Sequence, residues 1–161
     1  MHNMNTITDS KDSIEPLIEA HRHIKGALLP LLHAIQEKMG FIPPESVADI
    51  AKSLNLSRAE VHGVITYYHF FRSTPAGRHV VQVCQAEACQ ACGANELMAF
   101  AEETLGCRSH QTTPNGAVTL EPVYCLGLCA SSPAVQVNDK LHARVSTNQL
   151  KILLAQLEGA T

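Results

Sequence analysis

Tryptophan is absent from this 161-residue chain, and aromatic residues make up only 4% of it. Aliphatic side chains must therefore fill whatever core it buries. Charge is sparse as well, with Lys and Arg totalling 12 against 15 for Asp and Glu. A formal net charge of −3 supplies no basic patch, which argues against a nucleic-acid binder. Long hydrophobic runs are missing too. The most apolar stretch, GALLPLLHAI, falls short of the ~20 residues that span a bilayer and contains Pro30 and His33. The opening MHNMNTITDSKD lacks the basic and apolar regions of a secretory signal. These absences predict a cytoplasmic protein with no membrane insertion. No Walker loop and no G-x-G-x-x-G occurs, so nucleotide binding by this chain has no motif behind it. The 9 histidines form no H-x-x-x-H pair and none falls inside a cysteine loop, so they read as surface and packing residues.

What is present suffices for a folded core, since 45% of residues are hydrophobic. Residues 1–12 are polar and predict a disordered tail. Residues 13–74 predict a helical bundle. Apolar residues recur at helical spacing through Ile14, Leu17, Ile18, Leu28, Leu31, Leu32 and Ile35. Pro30 fits a first turn, Gly40 a stop, and Pro43–Pro44 the start of a helix through Val47, Ile50, Ala51 and Leu54. Ser57 and Glu60 match a capping box ahead of Val61, Val64, Ile65 and Tyr68. STPAG marks a boundary. Residues 75–161 then predict an α/β domain. Strands are expected at Val80–Val83, Val118–Pro122, Ala134–Val137 and Leu141–Val145, with helices from Gly93 to Leu105 and after Ser146 or Thr147. The fold class is α+β: a helical bundle followed by an α/β domain.

The chemistry lies in six cysteines. In a cytosolic chain they read better as ligands or redox groups than as disulfides. Cys84 and Cys89 sit in VVQVCQAEACQ, and Cys125 and Cys129 in EPVYCLGLCASSP. Each pair follows an apolar run, and four thiolates from two such loops suit a [2Fe–2S] cluster. Gly127 in the second loop allows a left-handed turn or close approach to sulfide. Other readings compete for the same residues. Cys84, Cys89 and Cys92 match the opening of a plant-type ferredoxin, C-x₄-C-x₂-C. Cys89 and Cys92 also make the C-x-x-C of a dithiol oxidoreductase. Structural zinc accepts four thiolates but prefers shorter loops, and a zinc-stabilised adaptor is the corresponding binding-module reading. Cys92 and Cys107 read as small buried hydrophobes. Of the chain's aromatics, Tyr67, Tyr68, Phe70 and Phe71 fall together. They could pack between the bundle and the α/β domain or anchor a partner subunit.

The paired motifs CQAEAC and CLGLC, with GRHVVQVC before the first, closely resemble the thioredoxin-like [2Fe–2S] ferredoxins. The likeness extends from about Leu28 to Leu157 and includes the bundle's Gly–aromatic–Ile-Pro and Val-x-Gly-Val-x-Thr cadences. That family includes the 24 kDa subunit of NADH:quinone oxidoreductase and the gamma subunit of NAD-dependent formate dehydrogenase. The resemblance implies that Cys84, Cys89, Cys125 and Cys129 are the cluster ligands on a thioredoxin-like frame, with no catalytic residue in this chain. The wording EACQ and CASSPA, with Ala130 and Ser132 before Pro133, is more similar to the formate dehydrogenase gamma subunit. That implies an electron-transfer subunit of a complex that oxidises formate and reduces NAD⁺. A 24 kDa-type subunit of NADH:quinone oxidoreductase or of an NAD-reducing hydrogenase is the alternative. The implied partners are a flavin subunit that binds FMN and NAD, contacted through the bundle and Tyr67–Phe71, and a molybdenum or tungsten subunit. Further iron–sulfur clusters would sit in those partners.

Overall fold

The structure, a computed structural model, describes residues 5–158. The chain divides into two compact units, residues 1–75 and 76–161.

The first unit is helical: α1 (Asn5–His21), α2 (Leu28–Met39), a 3-10 turn (Pro44–Ser46), α3 (Val47–Ser53) and α4 (Arg58–Tyr67). Helix α1 starts at Asn5, inside the stretch where the sequence predicts a disordered tail to residue 12. Residues 1–4 of that stretch lie outside the described residues. The helix is anchored by buried Ile14 and Ile18, and a nucleated helix extends outward at little further cost. Leu31, Leu32, Ile35, Ile42, Ile50 and Val61 form a fully buried aliphatic core. Gly40 ends α2 in the left-handed region at φ +81°, its N–H donating to the Gln36 carbonyl. Both halves of the Ser57–Glu60 capping box are made. Buried Gln36 holds the segment after α4: its Nε2 donates to the Phe70 carbonyl at 2.6 Å and its Oε1 accepts from the Arg72 N–H at 2.7 Å.

The second unit carries a five-stranded sheet. Its elements are β1 (His79–Cys84), α5 (Glu87–Ala91), α6 (Ala94–Leu105), β2 (Gln111–Thr112), β3 (Val118–Val123), a 3-10 turn (Cys129–Ser131), β4 (Val135–Val137), β5 (Lys140–His142) and α7 (Thr147–Glu158). Strand order is β2-β3-β1-β4-β5, with β1 and β3 parallel and every other pair antiparallel. Val81 and Val83 alternate onto the face shared with Leu97, Ala101, Leu120, Leu150 and Leu154, so α6 and α7 cover the sheet with aliphatic side chains. Two short elements escape sequence reading besides the 3-10 turn at Cys129. Helix α5 lies within the first cysteine loop, and β2 is a two-residue edge strand. The expected strand over Leu141–Val145 stops at His142 because Arg144 turns left-handed at φ +52°. Arg144 N–H and Val145 N–H instead donate to the carbonyls of Ser131 and Pro133. Among the described residues no helix is long and apolar enough to cross a membrane.

Candidate metal centre

Parallel pairing is what brings the cysteine loops together. Strands β1 and β3 run side by side with Cys84 opposite Val123, so β1 ends on Cys84 at the same edge where β3 leads into Cys125. Strand β4 runs back from that edge, with Val135 opposite Val83, and this brings the chain after Cys129 to the same place. The Cys84 N–H donates to the Ala134 carbonyl at 3.0 Å and the Gln85 N–H to the Val123 carbonyl at 2.7 Å. Three strand ends thus fix one rim of the sheet.

Four thiols gather there. Cys84 and Cys89 are each 2% exposed, in an apolar pocket with Ala94, Ala134, Val123, Leu126 and Leu128. Cys125 and Cys129 are exposed, with their sulfurs 3.9 Å apart. A tetrahedral metal with ~2.3 Å bonds to sulfur holds two of its thiolates about 3.8 Å apart, so this pair is spaced to share one metal. Among the described residues no three His, Cys, Asp or Glu side chains are grouped to hold a single ion. The thiols come in two pairs instead, as a two-iron cluster with two protein donors per iron requires. The donor set fits that cluster better than a mononuclear zinc site, which needs four donors about one point.

The loops are wired to each other. Burial pushes the Cys84 thiol up, against the Ala86 and Leu126 N–H groups that favour its thiolate. Leu126 belongs to the second loop, so its amide reaches across to a sulfur of the first. At Cys89, burial opposes ionisation, but hydrogen bonds from Ser132, Cys84 and the Ala134 amide outweigh it and lower the thiol below its ordinary value. The hydrogen bond that Cys129 donates to Cys125, together with the negative charge of Cys125, raises the Cys129 thiol, and Cys89 adds a smaller repulsion across the loops. The Gly127 N–H points at Cys125 Sγ from 3.3 Å. Such amides favour thiolates and tune any metal they hold.

Special backbone shapes the second loop. Cys125 has φ +148° and Gly127 φ +75°. An added Cβ at Gly127 would meet no atom within 4 Å, so glycine is needed there for its dihedral rather than for space. The other two cysteines stand apart. Cys107 is buried, as the sequence suggests, and burial followed by the charge of Glu102 raises its thiol. Cys92 is exposed, which corrects its reading as a buried hydrophobe: it caps the short helix α5, where its N–H is tied to the Cys89 carbonyl. In the sequence Ser132 stands out only as part of the CASSPA wording. Its Oγ lies 3.5 Å from Cys89 Sγ and 2.9 Å from the Cys129 carbonyl.

The family model for the thioredoxin-like [2Fe–2S] ferredoxins matches residues 14–158. The chain belongs to that family. Among its relatives, NADH-quinone oxidoreductase subunit 2 of Thermus thermophilus is 37% identical over 84% of this chain and 75% of its own length. NADP-reducing hydrogenase subunit HndA of Solidesulfovibrio fructosivorans is 32% identical over 86% of this chain and 81% of its own. An NAD⁺-reducing [NiFe]-hydrogenase structure shares the fold, with a TM-score of 0.66 at 18% identity, over 81% of this chain and 22% of the longer one.

Proposed function

We propose that Cys84, Cys89, Cys125 and Cys129 hold a [2Fe–2S] cluster, and that the chain is an electron-transfer subunit of an NAD(P)-linked oxidoreductase complex. The observation that carries this reading is the pairing of the thiols. Two pairs meet at one sheet rim, one pair at tetrahedral spacing, with the Leu126 amide of one loop aimed at Cys84 of the other. When bound, the cluster takes up and gives back single electrons.

The residues around it hold that charge. Amides of Ala86, Leu126, Ala134 and Gly127 point at three of the four sulfurs and stabilise negative charge without moving. Val123, Leu126, Leu128 and Ala134 shield the first pair from water, whereas Cys125 and Cys129 face outward. The outward pair gives electrons their shortest way to a partner. On the helical unit, Tyr67 and Phe70 are 76% and 59% exposed and Tyr68 is partly so, while Phe71 is buried in the core. The first three are the aromatic anchors for a partner chain bearing FMN and the NAD site.

The relatives favour a subunit of NADH-quinone oxidoreductase or of an NAD(P)-reducing hydrogenase over the formate dehydrogenase expected from the wording around Cys89 and Cys129. Neither curated relative described above is a formate dehydrogenase. The formate reading, with its molybdenum or tungsten partner, retains only the support of the EACQ and CASSPA wording. Purification of the intact complex separates these. Iron, acid-labile sulfide and a one-electron EPR signal reducible by NADH are expected, with the signal dependent on the flavin subunit. Molybdenum or tungsten in the complex would move the assignment to formate dehydrogenase. Colourless protein without sulfide would sink the cluster reading.

A further inference from the structure

The Ser132 hydroxyl sits between the two loops, 2.9 Å from the Cys129 carbonyl and 3.5 Å from Cys89 Sγ. It has one proton and two places to send it. With Cys89 as a thiol, the S–H can donate to Ser132 Oγ while the hydroxyl donates to the carbonyl, and both contacts are satisfied. A metal-bound thiolate has no proton to give and can only accept. The choice then falls between a neutral amide oxygen and a charged sulfur, and a charged acceptor makes the stronger hydrogen bond.

The segment is held in place for this. Ser131 N–H is bonded to the Leu128 carbonyl, Arg144 N–H to the Ser131 carbonyl, and Val145 N–H to the Pro133 carbonyl. Ser132 is therefore clamped on both sides, which fixes the reach of its hydroxyl. Cys89 is buried and Ser132 is half-buried, so water competes poorly for the sulfur. The donors at Ala86, Leu126, Ala134 and Gly127 are backbone amides, which almost any residue supplies. Ser132 is the side-chain hydroxyl among them, and so the position where a substitution can retune the sulfurs without reshaping the loop.

We propose that Ser132 is a positioning residue that donates a hydrogen bond from its hydroxyl to the Cys89 thiolate of the cluster-bearing protein and thereby eases one-electron reduction. The inference rests on the ligand assignment made above. Each reduction adds one electron and no proton, so the donor acts by stabilising negative charge on sulfur and is not consumed.

Redox titration of the holo-protein, followed by EPR, tests it. Ser132→Ala should weaken electron uptake by about tenfold, a shift of ~59 mV for a one-electron couple, with iron and sulfide content unchanged. The isosteric pair Ser132→Thr and Ser132→Val guards against a folding artefact. Threonine should stay near the unsubstituted potential, and valine should shift with alanine. The idea is overturned if alanine matches the unsubstituted protein, or if threonine and valine shift together. Absence of iron and sulfide from the unsubstituted protein would defeat the cluster reading itself, which is a different failure.

Discussion

The two thiol pairs differ in how the chain builds them. Cys84 and Cys89 are placed by regular structure: one ends a central strand and the other sits in helix α5, and both are 2% exposed. Cys125 and Cys129 are placed by a loop with φ of +148° at Cys125 and +75° at Gly127 that leads into a single 3-10 turn at Cys129, and both face solvent. The inner pair belongs to the folded core and would persist without metal. The outer pair is a loop whose shape depends on a few unusual dihedrals. One half of the centre is thus a structural feature of the sheet, and the other is an adjustable rim.

The largest effect that can break this contrast is loss of the cluster. Serine at Cys84, Cys89, Cys125 or Cys129 should each abolish or severely reduce bound iron and sulfide, while Cys92→Ser and Cys107→Ser should retain both. Full iron in a variant of any of the four, or its loss on replacing Cys92, would require a different ligand set. Metal-free protein then separates inner from outer. Cys84→Ser puts a hydroxyl into an apolar pocket and should cost about 1–3 kcal/mol in denaturant unfolding. Cys125→Ser, at an exposed site, should stay within about 0.5 kcal/mol. Equal costs would mean that the outer loop is as much part of the core as the inner.

Gly127→Ala probes the outer loop directly. Nothing would clash with the new methyl group, so the cost comes from the left-handed dihedral, about 1–2 kcal/mol. Faster loss of cluster iron to a chelator should accompany it, because the same turn aims the Gly127 amide at Cys125 Sγ. An alanine variant with unchanged stability and iron retention would show that the loop relaxes freely.

Much of this architecture was legible in the sequence, and the gaps have physical causes. Gly40 and the Ser57–Glu60 capping box announce helix ends through local chemistry that tertiary context does not alter. The cysteine pairs were visible as spacing, but spacing carries no burial. That Cys84 is enclosed and Cys125 open follows from β1 being central and β3 leading into a loop, which is a property of strand order. Helix α5 was hidden because it is only five residues long, shorter than a periodicity can register. Cys92 looked like a hydrophobe by residue type, yet its place at the end of α5 leaves it exposed. The two-residue strand β2 is similarly fixed by its neighbour, through Thr112 opposite Thr119, rather than by its own composition.

The smallest effect concerns the inner pair itself, where two equally buried thiols are not equivalent. Burial raises Cys84, and its hydrogen bond to Cys89 raises it further by making it the donor. Cys89 receives that bond along with those of Ser132 and Ala134, and its thiol is lowered. As pH rises in metal-free protein, Cys89 therefore ionises first, and its charge then holds back Cys84. Alkylation with a small neutral reagent, read by mass spectrometry across about pH 6–11, should label Cys89 at lower pH than Cys84. Ser132→Ala should move the Cys89 midpoint upward, since a bond favouring the thiolate is gone. The Cys84 midpoint should move slightly downward, since less negative charge faces it at a given pH. Coincident profiles for the two cysteines would mean that the pair shares its proton evenly, and that Ser132 and Ala134 do not set the asymmetry of the site.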